Sequence, residues 1–170
     1  VAWNPTHHAH LLWQIGKSDR MAGEFKFGDQ PRNIQWIEKV PADLTYTIGK
    51  SNPRDDWYFA QAKQGKWNID FTVASIPAGN AYLTVALAGG GGGPRMQVEV
   101  NGQKVGNEIA PPNDASTYRA ALRSGRYNVQ TIQFPANLLK PGANSVTMDM
   151  ISSGGRWHGL MYDTVVLESD

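Results

Sequence analysis

The sequence is 170 residues long and carries sixteen lysines and arginines against fifteen aspartates and glutamates, a net charge of +1. That length suits one domain with a substantial core, and the near balance of charge gives no reason to expect a nucleic-acid or membrane partner. Cysteine is absent, which excludes disulfides, thiolate zinc sites and a cysteine nucleophile.

The opening, VAWNPTHHAH, has no basic segment followed by an apolar one, so a signal peptide is either missing or already removed. No apolar run approaches membrane-spanning length, which predicts a soluble protein. HLLWQI reads as a short strand, RNIQWIEKV as one or two helical turns, and DLTYTI as a second strand. In WNIDFTV the apolar Trp67, Ile69, Phe71 and Val73 alternate with polar residues, the period of a half-buried strand. YLTVALA repeats the pattern with Leu83, Val85 and Leu87, and MQVEV with Met96, Val98 and Val100. Asn101-Gly102 follows at once, a type I′ turn signal that predicts a hairpin with QKVG. RYNVQTIQF, NSVTMDMI and GLMYDTVVLE complete the strands, and PANLL, led by Pro135, suits a helical turn. Turn clusters such as SNPRDD, IPAGN, LKPGAN and SSGG separate these runs. The pattern predicts an all-β, single-domain chain over 1–170: short antiparallel strands in two sheets, a jelly-roll β-sandwich with loops gathered at its ends.

Motifs for chemistry are few. AGGGGGPR lacks the Lys-Ser/Thr and following helix of a phosphate loop, so it reads as a mobile connection between strands. His7, His8 and His10 cluster near the start and read as a solvated arm, since no HExxH helix accompanies them. No GxSxG elbow marks an activated serine, and the acids beside Trp57, Asp55 and Asp56, are the available pair for glycoside hydrolysis. The aromatics say more. Trp57 and Tyr58 lie in turn-rich NPRDDWYFA, and Trp157 lies in SSGGRWHG between Arg156 and His158. Rings in loops stack on sugars, and neighbouring polar groups bond the hydroxyls or carboxylate. These five residues are the candidate carbohydrate site, whereas Trp3, Trp13, Trp36 and Trp67 read as core or anchoring residues. Arg95, Arg119, Arg123 and Arg126 suit either an acidic glycan or a solvated face.

Several blocks resemble the C-terminal, carbohydrate-binding-module-like domain of rhamnogalacturonan lyases of polysaccharide lyase family 4. They are LLWQIGKSDRMAGEFKFGD, DWYFAQ, KWNIDFTV, YLTVALAG, VEVNG, STYRAALRSGRYNVQTIQFPANLLKPGANSVTM and GLMYDTVVLE. The resemblance covers nearly the whole chain in order and implies a galactose-binding-like jelly roll. In that family the domain is the third, after a catalytic β-domain and a fibronectin-type domain, and the parent enzymes cleave rhamnogalacturonan I by β-elimination. Nothing in this chain resembles the catalytic domain, so the chain alone is expected not to be an enzyme. The resemblance also implies structural calcium held between an early loop and the final strand. Glu24 and Asp29 are the early partners, Asp19 a weaker one, and Asp163 the final-strand carboxylate. By strand parity Asp163 shares a face with Met161, Val165 and Leu167 and needs a partner there, whereas Glu168 lies on the other face.

The leading expectation is a secreted, non-catalytic module that binds rhamnogalacturonan or a related plant cell-wall polysaccharide and targets an attached lyase. A second is a structural domain that docks on its catalytic neighbour with no sugar affinity of its own. A third is a small lyase or esterase using His158 with Asp56.

Overall fold

Strands with one apolar face dry that face by stacking against a second sheet. A computed structural model of the chain describes residues 8–30, 33–89, 91–112, 114, 126–155 and 158–170. The described strands are β1 (His10–Gly16), β2 (Leu44–Thr47), β3 (Ala60–Gln61), β4 (Gly65–Val73) and β5 (Asn80–Gly89), then β6 (Arg95–Val100), β7 (Gln103–Ile109), β8 (Asn128–Pro135), β9 (Gly142–Ser152) and β10 (Leu160–Ser169). One five-stranded sheet runs β1-β10-β5-β8, with β3 also paired to β10, and the other runs β2-β4-β9-β6-β7. Every connection between successive strands crosses from one sheet to the other except β6–β7, the hairpin foreseen at Asn101-Gly102. Asn101 and Gly102 have φ of 49° and 82°, as a type I′ turn requires. The jelly-roll sandwich expected from the alternation is present.

The alternating residues form the core. Trp67, Ile69 and Phe71 of β4 meet Leu83, Val85 and Leu87 of β5 and Met96, Val98 and Val100 of β6 in one cluster. Pairing departs from expectation at one place, because β2 runs parallel to β4. Parallel neighbours need a crossover, and residues 48–64 supply it through a short helix α1 (Pro53–Asp56) and β3 in the opposite sheet. The SNPRDD turn cluster contains that helix. Asn52 caps it by accepting from the Asp55 N–H at 3.0 Å, and Asp56 accepts from the Asn52 N–H at 2.9 Å. RNIQWIEKV forms a 3-10 helix over Asn33–Lys39, and a shorter one covers Ala136–Leu138.

VEVNG and LKPGANSV, far apart in sequence, are tied together by two asparagines. Asn101 Nδ2 donates to Asn144 Oδ1 at 2.9 Å, while Asn101 Oδ1 accepts from the Ser145 N–H. Asn144 in turn accepts from the Lys140 N–H and donates to the carbonyls of Lys140 and Gly142. Asn144 is only 5% exposed, so water cannot replace these bonds once the side chain is cut away. Asn144→Ala is expected to lower stability by about 2–3 kcal/mol in urea unfolding, with the m-value unchanged. A loss under about 0.5 kcal/mol would show that the knot is incidental.

Candidate functional site

Period two splits the segment Trp57–Tyr58–Phe59 between the interior and the surface. Trp57 and Phe59 are fully buried. The Trp57 ring meets Tyr46, Trp67 and Tyr162 edge-on, with centroids 5.8, 4.9 and 5.3 Å away. Trp57 is therefore a core residue and not a sugar-stacking one. Its turn-rich setting reflects the crossover from β2, which brings the chain in from the surface at that point. Tyr58 points the other way and joins an aromatic trio. Phe27 stacks on Trp36 with centroids 4.9 Å apart and meets Tyr58 at 5.7 Å. All three rings are partly exposed. The Lys26 Nζ lies 5.5 Å from the Tyr58 centroid and 5.9 Å from that of Phe27, and the Lys39 Nζ lies 4.5 Å above Trp36. Trp36, expected to be a core or anchoring residue, is a partly exposed ring.

The trio is assembled from two loops and a helix. An isolated bridge pairs Lys26 with Tyr58. Lys26 N–H donates to Trp57 O at 2.9 Å, and Phe59 N–H donates to Lys26 O at 3.3 Å. The 3-10 helix that carries Trp36 and Lys39 turns its Ile37 and Glu38 toward a cleft of about 450 Å³, whose other walls are Ala62, Lys63, Gln64, Ser153 and Gly155. Lys63 Nζ donates to the Glu38 carbonyl at 2.8 Å and ties helix to loop.

The far wall of that cleft leads to the glycine run. A Cβ at Gly92 would strike the Gly154 carbonyl, and one at Gly91 would strike the His158 ring. Close backbone approach therefore surrounds Gly91 and Gly92. His158 is partly exposed against Gly91, while Asp56 caps α1. Arg156 and Trp157 lie outside the described residues, as do His7, Arg119 and Arg123. Arg95 pairs with Glu108 at 3.1 Å, and the Arg126 N–H donates to Asp114. His8 stacks on Tyr82 with centroids 3.5 Å apart.

The acids resolve differently from their even spacing. Asp163 is fully shielded from water, at a bulge of β10 where Tyr162 pairs with Leu87 and Thr164 with Ala86. Its carboxylate accepts from the Tyr127 hydroxyl at 2.6 Å and from the Arg20 N–H at 3.0 Å, so it has the partner that its burial demands. The bulge reverses the parity: Tyr162 before it and Val165 and Leu167 after it all belong to the core. Glu168, placed by parity on the solvent face, is fully buried. Glu24 accepts from the Lys17 N–H at 2.8 Å. Asp29 does not join these acids; it pairs with Arg54 at 3.0 Å. Asp19 does lie near them, since its charge pushes up the pKa values of both Glu24 and Asp163. Backbone N–H groups and a phenol hold these carboxylates, and among the described residues no three acids or histidines are close enough to share one metal ion.

Burial is the main cause that raises both Glu24 and Asp163 above the ordinary carboxylate range, with neighbouring carboxylates adding to it. The Tyr127 hydroxyl is pushed up as well, by burial and by its bond to Asp163. A raised acid binds its proton more tightly in the folded state. Its contribution to stability is complete below the unfolded carboxylate pKa and is lost as pH rises through the folded value. Thermal unfolding is therefore expected to be higher at about pH 5 than at about pH 7, and Asp163→Asn should flatten that difference. An unfolding midpoint that falls on acidification over this range would contradict the assignment.

Residues 11–167 match the family described as CBM-like, polysaccharide lyase family 4, domain III. A rhamnogalacturonate lyase of Dickeya dadantii is 41% identical over 167 residues, which is 94% of this chain and 28% of that protein. A probable rhamnogalacturonate lyase A of Aspergillus clavatus is 25% identical over 147 residues, 83% of this chain and 28% of that protein. The chain thus spans little more than a quarter of the length of these curated relatives. Among solved structures, a family 35 carbohydrate-binding module from Clostridium thermocellum superposes with a TM-score of 0.42 at 21% identity, over 61% of this chain and 70% of that one. A family 35 module from an environmental isolate gives 0.45 at 16% identity, over 63% and 67%. With its sandwich and its match from the first strand to the last, the chain belongs to the CBM-like domain III family of polysaccharide lyase family 4.

Proposed function

We propose that this chain is a non-catalytic carbohydrate-binding module that holds an attached lyase on pectic glycan of the plant cell wall, outside the cell. The observation that carries this reading is the partly exposed Phe27–Trp36–Tyr58 trio beside the cleft walled by Glu38, Lys63 and Gln64. Rings present apolar faces to the C–H side of a pyranose, and the cleft residues offer donors and acceptors to its hydroxyls. A partly exposed surface of this kind suits binding of a long polymer at modest affinity per site. Tyr58 stays in the proposed site, and Trp36 and Phe27 take the place of Trp57. Rhamnogalacturonan I is the proposed polymer, and lyase activity is proposed for the longer protein only.

A structural role beside a catalytic neighbour is a second reading, favoured by a separate feature. Leu11 and Ile76 are 56% and 44% exposed and line a groove of about 550 Å³ with Ile48, Phe71 and Val73. Exposed apolar surface of this kind suits contact with another domain.

Calcium is the remaining element of the proposal. Glu24 and Asp163 would supply two carboxylate oxygens, with backbone carbonyls and water completing the shell, while Asp29 stays with Arg54. The ion would offset the cost that burial places on the charged forms of these acids.

Titration calorimetry with rhamnogalacturonan oligosaccharides is expected to show binding in the micromolar to millimolar range. Trp36→Ala should weaken it by about tenfold or more, with the unfolding temperature nearly unchanged. Absence of heat with every pectic oligosaccharide would end the binding reading and leave the docking one. Millimolar calcium is expected to raise the unfolding temperature of the wild-type chain by several degrees and that of Asp163→Asn far less. Identical unfolding in calcium and in chelator would remove the ion from the account.

A further inference from the structure

The aromatic trio carries two cations, Lys26 and Lys39, that form no ion pair among the described residues. Among the described residues the ion pairs are Arg54–Asp29, Lys66–Glu99 and Arg95–Glu108, and none involves Lys26 or Lys39. Lys63, the third lysine nearby, is already tied to the Glu38 carbonyl. Lys26 and Lys39 instead rest over rings: Lys26 between Phe27 and Tyr58, Lys39 above Trp36. We propose that these two ammonium groups make the trio a site for uronic-acid residues, reading the sugar carboxylate as well as the ring face. This rests on the carbohydrate reading given above and assigns its substrate class.

The physical argument is one of exchange. With Phe27 stacked on Trp36, a sugar that seeks the Trp36 ring must displace the Lys39 ammonium from it. A neutral sugar removes a cation from its ring and offers it only uncharged hydroxyl oxygens in return. An acidic sugar offers the same ammonium a charge-assisted hydrogen bond, which is stronger than an exposed cation–π contact, and leaves the ring free for stacking. Lys26, over the neighbouring rings, is placed to take the carboxylate of an adjacent residue in the polymer or to share the first. Both lysines reach the surface on flexible stems, so neither has to move backbone to make the exchange. The overall charge of +1 means that this preference is local and does not come from a generally basic protein.

The experiment compares three probes by titration calorimetry on the whole chain: oligogalacturonate, the same oligomer fully methyl-esterified, and a neutral β-1,4-galactan oligomer. The expected result is binding of the acid form, weakened by about tenfold or more on esterification and weakened again by added salt. Lys26→Gln with Lys39→Gln should erase the difference between acid and ester, while Trp36→Ala should weaken both. Unfolding temperatures of the variants check that the fold is intact. Equal affinity for acid and ester, or a preference that survives loss of both lysines, overturns the carboxylate inference and leaves the carbohydrate reading standing. Failure of all three probes and of rhamnogalacturonan overturns both.

Discussion

The burial of one carboxylate governs how this domain presents its surface. Asp163 sits at a bulge in the middle of a sheet, shielded from water, where an unpartnered acid would be costly. The partners come from elsewhere: the Arg20 N–H from the loop after β1 and the Tyr127 hydroxyl from the start of β8. Arg20 adopts a positive φ of 62° and lays its guanidinium over the Tyr127 ring, 4.6 Å from the centroid. Gly16, which ends β1, approaches the Asp163 carbonyl so closely that a Cβ would not fit. The loop is thereby fixed at its root. At its other end Lys26 is hydrogen-bonded to Trp57 and Phe59, with the buried Phe25 between the two attachments. Lys26 and Phe27 stand beside Tyr58 because the loop that carries them is fastened at both ends.

The sequence makes the sandwich easy to read and the surface hard to read, for one physical reason. Alternation is a local property of a strand, so Trp67, Ile69 and Phe71 announce their face without reference to anything distant. The same rule, applied to DWYFA, already separates buried Trp57 and Phe59 from Tyr58, and the turn-rich setting of Trp57 masks that signal. It fails at FKF, where Phe25 and Phe27, two residues apart, should share a face but only Phe25 is buried. What alternation cannot convey is that Phe27, Trp36 and Tyr58 meet, since three separate segments bring them together. Nor does it survive a bulge: the extra residue at position 163 puts Tyr162 on the same face as Val165 and Leu167, and Glu168, on the face opposite those two, is buried along with all the other positions of β10.

Equal spacing of Asp19, Glu24 and Asp29 is similarly uninformative, because the loop does not keep a regular period. Two of the three end near Asp163 and the third pairs with Arg54 on the surface. The glycine run teaches a related lesson. Composition alone suggests slack, whereas Gly91 and Gly92 permit His158 and Gly154 to come within close contact of their backbone.

The position of β10 has a consequence for biosynthesis. It lies between β1 and β5 in its sheet, yet it is the last of the ten strands to leave the ribosome. Until it arrives, β1 has no neighbour, and the loop that ends at Phe27 has no Asp163 to hold its root. The first strand must therefore wait, unpaired and apolar on one side, until the eight described strands between it and β10 have been made, and a chain cut short before β10 would leave an aggregation-prone edge where the sheet should close.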